Sequence, residues 1–179
     1  MGRRNVLIEG GSCAGKTTVA AELERRGFHV VHGDRVLAYR GDPTTGAEVI
    51  YSGESGSPTE VAAWISDHHL WRVDEVRALA ADRTAAVTFF CGGSKNRSVF
   101  IDLFDEVFVL EIDTATLNRR LDQRQDEWGS KYAERELVLR LHRTREDVPA
   151  NAVGVDATAP LDDVVEAILR RALRPLQES

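Results

Sequence analysis

The chain reads Gly-Gly-Ser-Cys-Ala-Gly-Lys-Thr from Gly10 to Thr17, directly after the apolar residues 6–8 and before a helical pattern over 18–26. A phosphate-binding loop requires this order of strand, loop and helix, because its glycines let successive backbone N–H groups point inward around a polyphosphate. In such a loop the Lys16 ammonium binds the β- and γ-phosphates and the Thr17 hydroxyl ligates Mg²⁺. The stretch therefore predicts a site for a nucleoside triphosphate with Mg²⁺. The predicted nucleotide-binding residues of the loop are Gly10, Gly11, Ser12, Cys13, Ala14, Gly15, Lys16, Thr17 and Thr18.

The length and composition indicate one globular domain. The 179 residues are enough to close a single core, and we expect one domain over residues 1–179. The net charge of −6 excludes a generally basic surface, so nucleic acid is not an expected partner. No apolar run approaches the ~20 residues needed to span a bilayer, and the first residues contain no signal-peptide core. The two cysteines, Cys13 and Cys91, do not suggest a disulfide framework, which favours the reducing cytoplasm. We expect a monomer or homodimer without a membrane partner.

Apolar runs typical of buried strands alternate with stretches of helical periodicity. The predicted strands are residues 5–9, 28–32, 85–90, 107–112 and 152–155, and the predicted helices are 18–26, 60–82, 114–125, 134–147 and 161–173. This alternation is typical of a parallel sheet whose strands are joined by crossover helices. The sequence therefore predicts an α/β fold of three layers, α/β/α, with a five-stranded parallel sheet.

An acidic residue follows the second predicted strand, in the sequence His32-Gly33-Asp34-Arg35. Ligands bind at the carboxyl ends of parallel strands, so we expect Asp34 and Arg35 to lie beside the phosphate loop. There the Asp34 carboxylate would accept the proton of an attacking hydroxyl and hold Mg²⁺ through a water molecule. The alternative is that Asp34 only caps the next helix.

The third predicted strand runs into Cys91-Gly92-Gly93 and has no acidic residue at its end. The usual magnesium-holding aspartate of ATPases and GTPases is therefore missing from this strand. Glycines permit close backbone approach, so Gly92 and Gly93 are candidates for a turn that binds a second substrate. A simple tight turn is the alternative. Glu9, directly before the phosphate loop, is an acid whose role the sequence leaves open.

Arginines cluster after the fourth predicted strand. Arg120 and Arg124 stand four residues apart, so they share one face of the predicted helix. The planar guanidinium suits phosphate binding and stacking on adenine, which predicts a lid over residues 119–132. The alternative is a solvated helix face that Asp122 and Asp126 neutralise.

Residues 41–58 are rich in glycine, serine and threonine and predict a loop that either covers a second substrate or is a mobile surface connection. With the helical stretch that follows, this loop belongs to a predicted acceptor-binding region over residues 36–82. Aromatic and basic residues of the stretch are candidates for lining a pocket, although aromatic residues at helical spacing are also typical of a core. These candidates are Trp64, His68, His69, Trp71 and Arg72.

The order of phosphate loop, Asp34, Gly92-Gly93, arginine cluster and final strand resembles the nucleoside monophosphate kinase-like group of phosphate-loop (P-loop) proteins. Residues 87–93 resemble shikimate kinases, and residues 117–124 resemble the lid entry of shikimate and gluconate kinases. The phosphate loop with Asp34 resembles chloramphenicol phosphotransferases. The resemblance implies an ATP- and Mg²⁺-dependent kinase with a small-molecule acceptor. It implies catalytic roles for Lys16, Asp34, Arg120 and Arg124, and nucleotide contacts for Arg120 and Ala159. The predicted acceptor-binding residues are Asp34, Arg35, Gly92, Gly93 and Arg72.

Other classes of phosphate-loop protein remain as alternatives. The apolar run that ends in Glu111 is also typical of the metal-binding strand of an NTPase, which hydrolyses nucleotide without a small-molecule acceptor. A GTPase is disfavoured, because no Asn-Lys-x-Asp sequence for guanine is present. A nucleic-acid 5′-end kinase shares the loop and the following aspartate, but the acidic balance argues against a groove for a strand. A regulatory protein that only binds nucleotide is the last alternative.

Overall fold

The computed structural model of the protein describes residues 3–52 and 56–174. The strands are β1 Arg4–Gly10, β2 His29–His32, β3 Ala38–Arg40, β4 His69–Trp71, β5 Val87–Cys91, β6 Glu106–Glu111 and β7 Val153–Asp156. The helices are α1 Lys16–Arg25, α2 Gly33–Val36, α3 Pro58–Asp67, α4 Val73–Ala81, α5 Thr114–Asp122, α6 Tyr132–Thr144 and α7 Leu161–Ala172. Two 3₁₀ turns follow β5, at Arg97–Val99 and Ile101–Leu103. All five predicted strands are confirmed.

Strand β1 lies at the centre of a parallel sheet in the order β2-β5-β1-β6-β7. Its side chains alternate between the two faces of the sheet. Val6 and Ile8 pack with α1 and α7, whereas Leu7 packs with α4 on the other face, and all three are fully buried. Helices therefore cover both faces, and the predicted three-layer α/β/α fold with a five-stranded parallel sheet is confirmed.

The prediction of one helix over residues 60–82 is wrong. Helix α3 ends at Asp67, the chain then forms β4, which pairs antiparallel with β3, and α4 begins at Val73. His69 and Trp71 therefore lie on a two-stranded antiparallel sheet of β3 and β4, which we call the β3–β4 sheet, instead of on a helix.

Trp71 explains why the helix breaks at this point. Its indole is fully buried and stacks on Phe100, with ring centroids 5.8 Å apart. Its backbone N–H donates to Ser94 Oγ and Asn96 Oδ1, each at 3.0 Å, and Asn96 Nδ2 donates to the Trp71 carbonyl at 2.9 Å. These contacts with a distant loop hold the backbone extended, and tertiary bonding of this kind overrides local helical propensity.

The loop predicted over residues 41–58 connects β3 to α3. It contains a short antiparallel bridge between Gly41 and Glu48, and it ends at a capping box. The Glu60 N–H donates to Ser57 Oγ, and the Ser57 N–H donates to the Glu60 carboxylate, which fixes the start of α3. Residues 53–55 of this loop lie outside the described residues.

Gly33 provides a test of how tightly Trp71 is held. A Cβ built on Gly33 would lie 2.1 Å from Trp71 Cζ2, and the stacked, hydrogen-bonded indole has no easy way to move. We expect Gly33→Ala to lower the free energy of unfolding by ~1–3 kcal/mol. Gly93→Ala is the control, because no described heavy atom lies within 4 Å of a Cβ built there. Urea unfolding followed by tryptophan fluorescence measures both, and equal stabilities would contradict the tight packing of Trp71.

Candidate active site

A cavity of about 1070 Å³ opens at the carboxyl edge of the parallel sheet. Because β1 lies between β5 and β6, the phosphate loop occupies the centre of this edge. The ends of β2 and β5, with the β3–β4 sheet, lie on one side of the phosphate loop, which we call the β2–β5 side. The ends of β6 and β7 form the β6–β7 side. Every loop residue from 10 to 18 lines the cavity, as does Ala159 on the β6–β7 side.

Close packing and left-handed backbone shape the phosphate loop. A Cβ on Gly10 would lie 2.9 Å from Ala14 Cβ and 3.0 Å from the Leu110 carbonyl oxygen, so the loop needs glycine there to sit on β6. Gly15 has a φ of 102° and Cys13 a φ of 66°, both in the left-handed region. Glycine adopts this region without strain, which explains its place immediately before α1.

The Lys16 ammonium lies across the loop. Its Nζ donates to the Gly10 carbonyl at 2.6 Å and to the Gly11 carbonyl at 3.1 Å. Burial lowers the Lys16 pKa, although the carboxylates of Asp34 and Glu9 act to raise it. No ion pair compensates this ammonium within residues 3–52 and 56–174. A half-buried cation of this kind favours a bound anion.

The donor groups around the loop fit a magnesium polyphosphate. Thr17 presents an exposed hydroxyl in the cavity, and hydroxyl oxygen belongs to the hard ligands that Mg²⁺ prefers. Helix α1 starts at Lys16, so the unpaired N–H groups of its first turn belong to the loop. The Lys16 ammonium without an ion pair among the described residues, the helix N–H groups and the Thr17 hydroxyl match the charge and chemistry of the predicted nucleotide.

Two arginines of the predicted lid already contact the phosphate loop. Arg120 Nη1 donates to the Cys13 carbonyl at 2.8 Å, and its Nη2 donates to the Ala157 carbonyl at 3.0 Å. Arg124 Nη1 donates to Ser12 Oγ at 3.2 Å. Arg120 therefore links the loop to the segment after β7. Both arginines line the cavity, so they face the predicted nucleotide rather than a solvated surface.

Asp34 lies on α2, immediately after β2, and faces the phosphate loop across the cavity. Its Oδ1 accepts hydrogen bonds from the Gly93 N–H at 3.0 Å, from His69 Nε2 at 3.2 Å and from Trp71 Nε1 at 3.4 Å. Burial acts to raise the Asp34 pKa, but the bond from His69, the charge of Lys16 and the Gly93 N–H outweigh it. The net result is a pKa below the ordinary value. Asp34 is therefore an ionised, firmly oriented carboxylate near neutral pH.

The glycine pair after β5 serves this carboxylate. A Cβ on Gly92 would lie 2.6 Å from Trp71 Cζ2 and 2.7 Å from Asp34 Oδ1, so only glycine lets the three groups meet. The next N–H, that of Gly93, is the one that Asp34 accepts. Gly93 thus contacts Asp34 directly and lines the cavity, whereas Gly92 is not among the described residues that line it.

The two other predicted acceptor-binding residues differ in position. Arg35 lines the cavity next to Asp34. Arg72 is not among the described residues that line it. Its guanidinium lies over the Tyr39 ring, 4.6 Å from the centroid, and pairs with Glu48 at 3.6 Å.

Glu9 is a second carboxylate in the cavity. Its side chain is only 5% exposed, and Arg97 Nη1 lies 3.6 Å from its Oε2. Burial raises the Glu9 pKa to about 7, although the charges of Arg97 and Lys16 act to lower it. Its position in an apolar strand directly before the phosphate loop was the only sequence signal for this residue.

The β3–β4 sheet and the loop after β5 add Arg40 and Lys95, which the sequence did not point to, beside His69, which was a pocket candidate. Arg40 and His69 are directly opposite each other on the β3–β4 sheet, and both line the cavity. Lys95 lines it too and pairs with Asp147 at 2.7 Å and with Asp67 at 3.7 Å. Because residues 69–72 were predicted to be helical, the pairing of Arg40 with His69 could not be predicted. This pairing depends on the register of β3 and β4.

Solved structures share this fold over nearly the whole chain. A sugar kinase from Janibacter sp. HTCC2649 is 18% identical with a TM-score of 0.55, and the match covers 94% of this chain and 93% of that one. A gluconokinase from Sinorhizobium meliloti 1021 is 17% identical with a TM-score of 0.54, covering 96% and 93%. A deoxyadenosine kinase from M. mycoides, solved with bound dATP, is 14% identical with a TM-score of 0.52, covering 93% and 97%. The predicted resemblance to P-loop small-molecule kinases is thus confirmed for the fold.

Sequence comparisons add no relative to these structures, since neither a family model nor a curated protein matches the chain. Among residues 3–52 and 56–174, no helix is both long enough and apolar enough to cross a membrane.

The raised pKa of Glu9 predicts how stability depends on pH. Between pH 4.5 and about 7 the folded protein holds a proton on Glu9 that the unfolded chain has lost, so stability falls as pH rises through this window. We expect Glu9→Gln to remove this dependence and to raise the free energy of unfolding at pH 8 by up to about 3 kcal/mol. Glu136→Gln, at an exposed position of α6, is the matched control. Urea unfolding at pH 5 and pH 8 tests this, and an equal effect of Glu9→Gln at both values would contradict it.

Proposed function

We propose that this protein is an ATP-dependent kinase that transfers the γ-phosphoryl group to a small polar acceptor. One observation carries the proposal: a single cavity contains both the half-buried Lys16 of a phosphate loop, which forms no ion pair among the described residues, and the ionised and oriented carboxylate of Asp34. Phosphoryl transfer needs this combination, because catalysis is mainly positioning and charge neutralisation. The shared fold of a sugar kinase, a gluconokinase and a deoxyadenosine kinase supports the reaction class and leaves the acceptor open.

We assign nucleotide binding to the phosphate loop and the β6–β7 side. Lys16 and the loop N–H groups would hold the phosphates, Thr17 and, through water, Asp34 would hold Mg²⁺, and Arg120 and Arg124 would complete the phosphate site. Ala159 would border the adenine. Mg²⁺, when bound, would neutralise charge on the phosphates. The dATP in the deoxyadenosine kinase structure supports an adenine nucleotide.

Two carboxylates in the cavity suit two different tasks. Asp34 has a lowered pKa and three hydrogen bonds to one oxygen, so it is a weak base suited to orienting the acceptor hydroxyl. Glu9 has a pKa of about 7, which is the range in which a general base works best. We assign the hydroxyl proton to Glu9, which takes it as the acceptor oxygen bonds to the γ-phosphorus and ADP leaves. Carboxylates whose pKa values are driven apart are a common sign of divided roles.

The NTPase alternative has less support. Strand β5 ends without an acid, and Glu111 at the end of β6 is bound by Arg145, with Nη2 and Oε1 2.6 Å apart. The acceptor test separates the two classes. ADP release is measured with Mg·ATP and a panel of nucleosides, nucleotides, sugars, sugar acids and hydroxylated antibiotics. A kinase releases ADP slowly alone and much faster with one acceptor class, whereas strong hydrolysis that no panel member stimulates would contradict the proposal.

Lys16→Ala is the first variant for this assay. We expect it to abolish transfer and weaken binding of an ATP analogue while leaving the fold intact, since backbone packing around Gly10 shapes the loop. Circular dichroism and thermal unfolding check the fold. Near-normal turnover of Lys16→Ala with an identified acceptor would show that the loop does not clamp phosphate in catalysis.

Asp34→Asn and Glu9→Gln separate the two carboxylate roles. General-base assistance contributes roughly 10²–10⁴-fold, so Glu9→Gln should lower kcat/KM for the acceptor by about 10²-fold or more. Asp34→Asn should lower it by about 10²-fold, because the acceptor hydroxyl loses the carboxylate that orients it. ATP-analogue affinity should change little, because Lys16 and the loop N–H groups remain. The pH profile distinguishes the two: activity should rise to a plateau through about pH 7 in the wild type and in Asp34→Asn, since both retain Glu9. Glu9→Gln should lack this rise, and its persistence there would remove the proton from Glu9.

A further inference from the structure

The β3–β4 sheet places a series of hydrogen-bonding groups between Arg40 and Asp34. Arg40 and His69 are paired residues of β3 and β4, and Arg40 Nη1 lies 3.3 Å from His69 Nδ1. His69 Nε2 lies 3.2 Å from Asp34 Oδ1. Arginine can only donate, so Nδ1 accepts and the ring proton lies on Nε2, which donates to Asp34. The imidazole thus separates a cationic group at one end from the reactive carboxylate at the other.

Arg40 is the half-buried cation of the β2–β5 side that has no ion pair among the described residues; Arg35 has none either, but it is exposed to solvent. Lys95 is paired with Asp147, and Arg97 with Glu9. Arg40 forms no ion pair with any residue of 3–52 or 56–174, and its only side-chain hydrogen bond there is to His69. Burial alone lowers the Arg40 pKa, with no carboxylate acting in the opposite direction. A half-buried guanidinium that faces a cavity without a counter-ion is unfavourable unless a ligand supplies the charge.

We propose that the acceptor carries an anionic group, a carboxylate or a phosphate, which binds the Arg40 guanidinium while Asp34 orients the acceptor's hydroxyl. This inference rests on the proposed kinase function and defines its substrate class. The guanidinium fork binds either anion in a bidentate manner, so one site accommodates both.

The spacing also limits the acceptor's size. The acceptor's hydroxyl and its anionic group must be separated by the length of one imidazole ring with its two hydrogen bonds. A short chain or a single sugar ring between the two groups has this length. A neutral sugar or nucleoside would leave Arg40 uncompensated, and rejection of a ligand that leaves a charged site unpaired is strong.

Binding is measured by calorimetry on the whole protein with Mg²⁺ and a non-hydrolysable ATP analogue. The probes are matched pairs: six-carbon aldonic acids against their sugar alcohols, sugar phosphates against the free sugars, and nucleoside 5′-monophosphates against nucleosides. We expect at least one anionic member to bind about 10- to 100-fold more tightly than its neutral partner. The acid and phosphate arms identify which anion is used. Equal or weaker binding by every anionic member would overturn the proposal.

Arg40→Gln tests the residue itself, because glutamine removes the charge and keeps the aliphatic part of the side chain. We expect the preference for the anionic member to disappear and KM for that acceptor to rise about 10- to 100-fold, with kcat and KM for ATP nearly unchanged. Arg40→Lys should restore part of the preference. Arg77→Gln, an exposed arginine of α4 paired with Asp74, is the matched control.

The outcomes separate this inference from the proposed function. Anion-selective binding that Arg40→Gln abolishes, without phosphorylation of any acceptor, would uphold the anion site and contradict the kinase. Efficient phosphorylation of neutral acceptors that Arg40→Gln leaves unchanged would uphold the kinase and overturn the anion site.

Discussion

One carboxylate oxygen, Asp34 Oδ1, joins the separate elements from which the β2–β5 side of the cavity is built. Asp34 itself follows β2, and its hydrogen-bond donors come from strand β4 and from the turn after β5. Gly33 and Gly92 lack the Cβ atoms that would keep the Trp71 ring away from this point. The position of the carboxylate relative to the phosphate loop is therefore set by packed backbone, which is the condition for a pre-organised electrostatic site.

The same edge of the sheet concentrates charges that burial disfavours. Burial lowers the pKa of Lys16 and raises that of Glu9, so both groups resist their charged forms in the unliganded protein. Such groups reduce stability, and proteins retain them where binding or catalysis needs them. Asp34 escapes this penalty because hydrogen bonds and the nearby ammonium favour its ionised form. The chain thus concentrates its electrostatic strain beside the phosphate loop.

Local signals were enough for the parts of the fold that are local. The phosphate loop is contiguous, and the five parallel strands are apolar runs, so the three-layer fold followed from the sequence. The helix over residues 60–82 was predicted wrongly because Trp71 is held by Ser94 and Asn96, which are distant along the chain. Arg40 could not be identified from the sequence, because its distinguishing feature is that no carboxylate of the described residues pairs with it in the folded protein. The catalytic roles assigned from the motif, including those of Lys16 and Asp34, remain predictions, although these side chains do line one cavity.

For the kinase proposed above, the β3–β4 sheet would make the choice of acceptor a separable module. Its backbone is fixed by ladder pairing and by the bonds of Trp71, so the side chain at position 40 can be exchanged without shifting the strand that carries it. His69 lies between that position and Asp34, so an exchange at position 40 acts on the carboxylate only through the imidazole. In the kinase proposed above, a new acceptor class would then need only replacements at the edge of this sheet, while the phosphate loop stays unchanged.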